Sequence, residues 1–201
     1  MANETQAPVT RWAGVPLADR RDQRREQLIT AAFELFGMGG EAAVSVRAVC
    51  RVSHLHARYF YDSFGDTDQL LGAVYDRVSG ELSRRLVAGL DEAGDDARAR
   101  LRIGIHVVLE FSSADPRRGR ILFTDARTNP VLAERRQAAQ RALMDAVLQL
   151  GTGAGQPQDR VSAAMFTGAM VELVHQWLTG SLGRDLDVVV RHATARAFPL
   201  T

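Results

Sequence analysis

Residues 44–64 read VSVRAVCRVSHLHARYFYDSF, and the fold turns on how this stretch divides. Ser45 is a residue type that caps helices, and it precedes Val46, Val49 and Cys50, which fall on one helical face. The pattern breaks near Ser53–Leu55. A second short helix is expected from about His56 to Ser63. Phe60 and Phe64, four residues apart, would anchor it inward and leave His56, Arg58 and Tyr59 outward, with Tyr61 at the edge. Two short helices across a tight turn, with a third helix before them, make a helix-turn-helix. The second helix of such a unit enters the major groove of DNA, and the first spans the backbone.

Working outward, RREQLITAAFELFGMGG places Leu28, Ala32, Leu35 and Phe36 on one face and ends at Gly39–Gly40. On the other side, Gly65–Asp66 interrupts the chain. Asp66 can cap a long helix that runs to about Gly89 and carries Leu70, Leu71, Val74, Val78, Leu82 and Leu86 on one side. GLDEAGDD then reads as a polar connector. From about Ala97 a helix carries Leu101, Ile105, Val108 and Leu109, with Ile103, Val107 and Phe111 widening the stripe. Asp115–Pro116 and Asn129–Pro130 each set a capping side chain before a first-turn proline. GTGAGQP is a link, and two further helices follow at about 157–179 and 185–197. The expectation is an all-α chain of about nine helices, the first three short and the rest long.

The bulk numbers agree with a globular protein: 201 residues, 46% hydrophobic, 24% charged, net charge +1. All 25 basic residues are arginine. Arginine suits phosphates and guanine edges, although genomic base composition explains the missing lysines as well. A single cysteine excludes a disulfide within the chain and fits a reducing compartment. No run of about 18 apolar residues predicts a membrane span. The opening MANETQAPVTRWAGVPLADRR lacks the apolar core of a signal peptide and reads as a flexible arm.

From Leu28 to Leu71 the chain resembles the tetracycline-repressor (TetR) family of bacterial transcription regulators. LITAAFELFGMGG is similar to the family's first helix, SVRAVCRVS to its second, and YFYDSFGDTDQLL to its tyrosine–phenylalanine hallmark, with Tyr61 and Phe64 at the hallmark positions. The resemblance implies a flexible arm at 1–19, a helix-turn-helix DNA-binding domain at 20–66, and a helical ligand-binding and dimerisation domain at 67–201. It implies a double-stranded operator as partner, an unknown small-molecule effector, a homodimer, no cofactor and a cytoplasmic location. The DNA contacts it implies are Arg25, Ser45, Val46, Arg47, His56, Ala57, Arg58, Tyr59, Tyr61 and Thr67. Arg20, Arg21 and Arg24 add positive charge near the first helix.

Three positions depart from the family pattern. His54 stands where the turn usually has glycine. A non-glycine residue at positive φ costs roughly 1 kcal/mol, so a differently shaped turn is expected. His56 replaces the usual serine or threonine cap. Thr67 replaces a phosphate-meeting lysine, keeping a hydroxyl donor without the charge.

Other readings compete. Cys50, His54 and His56 can be drawn as a metal site, but the register puts Cys50 among small apolar positions, where buried cysteine behaves as one of them, and no fourth ligand lies nearby. No metal site is therefore expected. Arg102, His106 and Glu110 line up at i, i+4 and i+8; a solvated, salt-linked stripe is favoured over an acid–base pair. No phosphate loop, nucleophile elbow or His-Glu-x-x-His helix appears, so no enzyme is expected. An effector pocket is sought among the middle helices, with His106, Phe111, Phe123, Met165, Met170 and Trp177 as candidates. The last two long helices, apolar around much of their circumference, are the expected dimer contact. The alternative to a ligand-responsive repressor is an all-α enzyme or small-molecule carrier that uses the pocket without DNA.

Overall fold

The computed structural model describes residues 11–12, 15–124, 129–150 and 157–197. Most of the predicted arm, and the GTGAGQ part of the predicted link, lie outside the described residues. A two-residue antiparallel ladder pairs β1 (Arg11–Trp12) with β2 (Val15–Pro16). Everything else described is helical or a short connection.

Helix α1 (Leu17–Gly39) has 23 residues, not the short helix expected, and it starts inside the predicted arm. The segment RRDQRREQ is composed of good helix formers and simply extends the helix N-terminally. It stops at Gly40, whose φ of 70° suits glycine. After a 3-10 turn (Glu41–Ala43) come α2 (Val46–Ser53) and α3 (Ala57–Tyr61). Helix α4 (Thr67–Glu92) is started by Asp66, whose carboxylate accepts the Gln69 N–H at 2.8 Å. It runs through half of the segment read as a connector. Gly89 explains this: a Cβ there would lie 2.9 Å from Ile103, so glycine lets α4 approach α5 (Ala97–Ala114) closely.

Asp115 caps α6 (Pro116–Gly119), which is a single turn and not a long helix. It passes directly into a π-helical turn (Arg120–Thr124). Asn129 caps α7 (Pro130–Leu150) by accepting the Leu132 N–H at 3.1 Å. Helices α8 (Pro157–Leu178) and α9 (Leu186–Ala197) complete the chain.

Two apolar clusters hold these helices. The first joins the buried faces of α1–α4 to Phe111, Ile121, Leu122 and Leu132. The second gathers Leu101, Ile105 and Leu109 with buried residues of α7, α8 and α9. Val108 and Phe123 pack against both. The first cluster therefore carries the helix-turn-helix and finishes it with side chains from far along the chain.

Candidate nucleic-acid interface

The interface is built on two buried rings. Phe60 is fully buried and Phe64 is 4% exposed, with centroids 6.0 Å apart. They pin one side of α3 to the first cluster. The opposite side therefore faces out, and His56, Ala57, Arg58 and Tyr61 are exposed there. Tyr61 packs its ring edge-on against Phe60 at 5.4 Å while remaining 61% exposed, so the phenol is anchored at its base and free at its hydroxyl.

Helix α2 supplies the second row. Ser45 Oγ accepts the Ala48 N–H at 3.2 Å, which satisfies one free amide of the first turn and leaves the hydroxyl proton free to donate. Arg47 is exposed beside this positive helix end. Val46 is half-buried and packs on the core, so it sets the depth of α2. Thr67, half-buried, opens α4 beside α3.

The turn between α2 and α3 corrects one expectation. His54 takes the left-handed conformation (φ 55°, ψ 30°) that the glycine pattern requires, and it is the only non-glycine residue with positive φ among the described residues. The N–H groups of His54 and Leu55 both reach the Cys50 carbonyl, and Leu55 packs against the core. These bonds hold the turn in shape against the strain. His54→Gly is expected to raise the unfolding free energy by up to about 1 kcal/mol, because relief of left-handed strain outweighs the added chain entropy of glycine. A shift of the urea midpoint to higher concentration checks this; a shift to lower concentration would mean that the imidazole makes a stabilising contact.

Cys50 is partly buried against the core, and burial pushes its thiol above the usual cysteine range. It stays a protonated, apolar filler. Among the described residues no three ligating side chains converge on a metal-sized space.

Two residues gain roles that charge alone did not suggest. The guanidinium of Arg24 lies 4.6 Å from the Tyr59 ring centroid, and that of Arg25 lies 4.9 Å from the Phe64 centroid. Tyr59 is consequently half-buried beneath an arginine instead of fully outward. No periodicity could have paired residues 35 positions apart.

The effector candidates scatter. Phe111 is fully buried between the guanidiniums of Arg85 and Arg118, at 5.2 and 4.7 Å. Phe123 bridges the two clusters, and Met170 is buried in the second. His106 Nε2 sits 4.0 Å from Glu110, as a surface stripe would have it. Met165 is not part of either buried cluster: it is 57% exposed, on the outward face of α8 with Val161 at 59%. Its apolarity points away from this chain's own core. Sequence reasoning missed Ser112, whose Oγ is fully buried without a hydrogen-bond partner among the described residues; Trp177 Nε1 is likewise buried and unpartnered among them. An open groove of about 390 Å³ lies elsewhere, between α1 and α2, lined by Gln23, Glu26, Thr30, Glu34 and Ser53 among others.

Contacts also run from the later helices to α1. Arg117, held by paired bonds to Asp115 at 2.9 and 2.8 Å, lies over the Phe33 ring at 4.8 Å. That bonding holds the Asp115 carboxyl below its usual range. Arg120 donates to the Gly37 and Met38 carbonyls at 2.7 and 2.9 Å. Asn129 donates to Glu41 and Asp68 at 3.0 and 2.8 Å.

An exposed helix with arginine, histidine and tyrosine on its free face, held on a rigid three-helix base, defines a helix-turn-helix transcription regulator. The comparisons agree. The chain is 31% identical over 163 residues to the HTH-type transcriptional regulator BetI of Stenotrophomonas maltophilia, covering 79% of this chain and 82% of that protein. It shares its fold with a TetR-like transcriptional regulator from Rhodococcus sp. RHA1 (TM-score 0.73, 18% identity, 87% and 93% of the two chains). The fold is likewise that of the transcriptional regulator FadR from Bacillus subtilis, solved with stearoyl-CoA (TM-score 0.73, 16% identity, 86% and 96%). No protein-family model matches the sequence. This chain belongs to the TetR family of transcriptional regulators. No described helix is long and apolar enough to cross a membrane.

Proposed function

We propose that the protein is a homodimeric repressor that reads a double-stranded operator with α3 and leaves it when a small molecule occupies the later helices. The supporting observation is the α2–α3 surface itself: Arg47, His56 and Arg58 exposed on a helix pair fixed from behind by Phe60 and Phe64. Residues 20–66 form the reading head with α1 extended into the arm, and 67–201 form the effector and dimer part. Arg58 takes a guanine edge by paired donors, and Tyr61, with Ser45, Arg47 and Thr67, takes phosphate oxygens.

The effector is an apolar body with one polar group. Among the described residues Ser112 Oγ and Trp177 Nε1 are buried polar atoms without hydrogen-bond partners, and an acceptor on a ligand would satisfy them. The FadR of similar fold was solved with stearoyl-CoA, whose acyl chain is such an apolar body. Movement of the π turn and α6 then reaches α1 through Arg117 and Arg120. The effector works by favouring the dimer whose two α3 helices no longer match successive grooves.

A gel shift on the chain's own upstream region, followed by operator selection, tests this reading. Arg58→Ala is expected to weaken operator binding by about 1–3 kcal/mol and to relax one position per half-site. Tyr61→Phe is expected to weaken all sequences about equally. If both folded variants bind as the wild type does, α3 is not the reading head. If the wild type binds no DNA yet shows a ligand-dependent rise in melting temperature, the carrier alternative takes over.

A further inference from the structure

Helix α3 has five residues, and the residue before it, His56, makes no side-chain capping bond. A single turn of this length has no stability of its own, so its orientation is imposed from outside. Phe60 and Phe64 fix it from beneath. The N-terminal half of α1 adds two further contacts. Arg21 Nη2 donates to the Asp62 carbonyl at 2.9 Å, at the negative end of α3. One turn further, Arg24 covers the Tyr59 ring at 4.6 Å. The two arginines thus hold α3 at its middle, through a ring, and at its C-terminal end, through the backbone.

We propose that Arg21 and Arg24 are positioning residues that clamp α3, and that discrimination between an operator and random DNA depends on them through α3 rather than through phosphate charge. The second half rests on the reading that α3 contacts bases. Chemistry separates the two roles. Phosphate neutralisation needs only a cation, and lysine supplies one. A planar group that stacks on a ring needs guanidinium, and lysine is a poor substitute.

The test uses full-length wild type, Arg21→Ala, Arg24→Ala, Arg24→Lys and Tyr59→Phe. Amide hydrogen exchange without DNA is read across α3 and, as an internal control, α2. Binding is then measured to a selected operator and to a scrambled duplex of equal length. The clamp predicts α3 exchange faster by roughly two- to fivefold in Arg24→Ala and Arg24→Lys, with α2 unchanged. Arg21→Ala should speed exchange at the C-terminal end of α3. Tyr59→Phe, which keeps the ring under Arg24, should leave α3 exchange at the wild-type rate. The operator-to-scrambled ratio should fall in both Arg24 variants. Unchanged α3 exchange overturns the clamp. Full rescue by lysine, or an equal loss on both duplexes, overturns its role in discrimination. If wild type binds neither duplex, the regulatory reading fails, and exchange alone decides the clamp.

Discussion

Phe60→Ala is expected to lower the unfolding free energy by about 3–5 kcal/mol, the range for deleting a fully buried aromatic ring. Its ring is 0% exposed and touches both Tyr61 and Phe64, so no solvent path exists to refill the space. Domains of this kind have roughly 5–15 kcal/mol in total, so one substitution removes about a fifth of the margin or more. The loss should not stay local, because Phe60 sits in the same cluster as Leu70, Phe111 and Ile121. Chemical denaturation should show a lower midpoint, and specific DNA binding should vanish at temperatures where the wild type still binds. A loss below about 1 kcal/mol would mean that the ring is not packed as described.

For the proposed homodimer, Gly168→Arg is expected to give a monomer and to weaken operator binding by 100-fold or more, since two linked half-sites typically gain a factor of about 10²–10⁴ over one. Gly168 lies on the exposed side of α8 with Val161, Met165 and Ala169. A Cβ added there meets no atom within 4 Å, so the monomer has room for the side chain. Arginine is also a better helix former than glycine by about 0.5–1 kcal/mol, so lost assembly would not come from a damaged helix. A second copy packed on this face, as the proposed dimer has it, would leave no such room. Sedimentation equilibrium at micromolar concentration, with melting curves, separates the cases. A folded Gly168→Arg protein that remains a dimer would place the contact elsewhere.

What the sequence made legible was what is decided within a few residues. Ser45, Asp66, Asp115 and Asn129 all cap the helices they were read to cap, because a cap is a contact between near neighbours. The inward pair Phe60 and Phe64 followed from a four-residue spacing. Long-range contacts were not legible. Arg24 reads as one basic residue among many until α3 is brought beside it. Met165 reads as a pocket wall because α8 is apolar on several sides, and periodicity does not say which apolar side meets this chain and which meets another. His54 shows a third limit: intrinsic preference argued for a different turn, and three surrounding constraints, the two bonds to the Cys50 carbonyl and the packing of Leu55, outweighed it.

The first apolar cluster bears on how such regulators can be recombined. A new operator preference cannot be transplanted by cutting at residue 66 and pasting in another reading head. Leu70, Leu71 and Val74 on α4, then Phe111, Ile121, Leu122 and Leu132, would meet a surface they were not shaped for. A graft that succeeds must carry those faces with it, or repack them to equal volume. Exchange of α3 side chains alone, Arg58 foremost, leaves that seam untouched. On the proposed reading of α3, respecification is a problem of a few surface residues, and module swapping is a problem of a whole core.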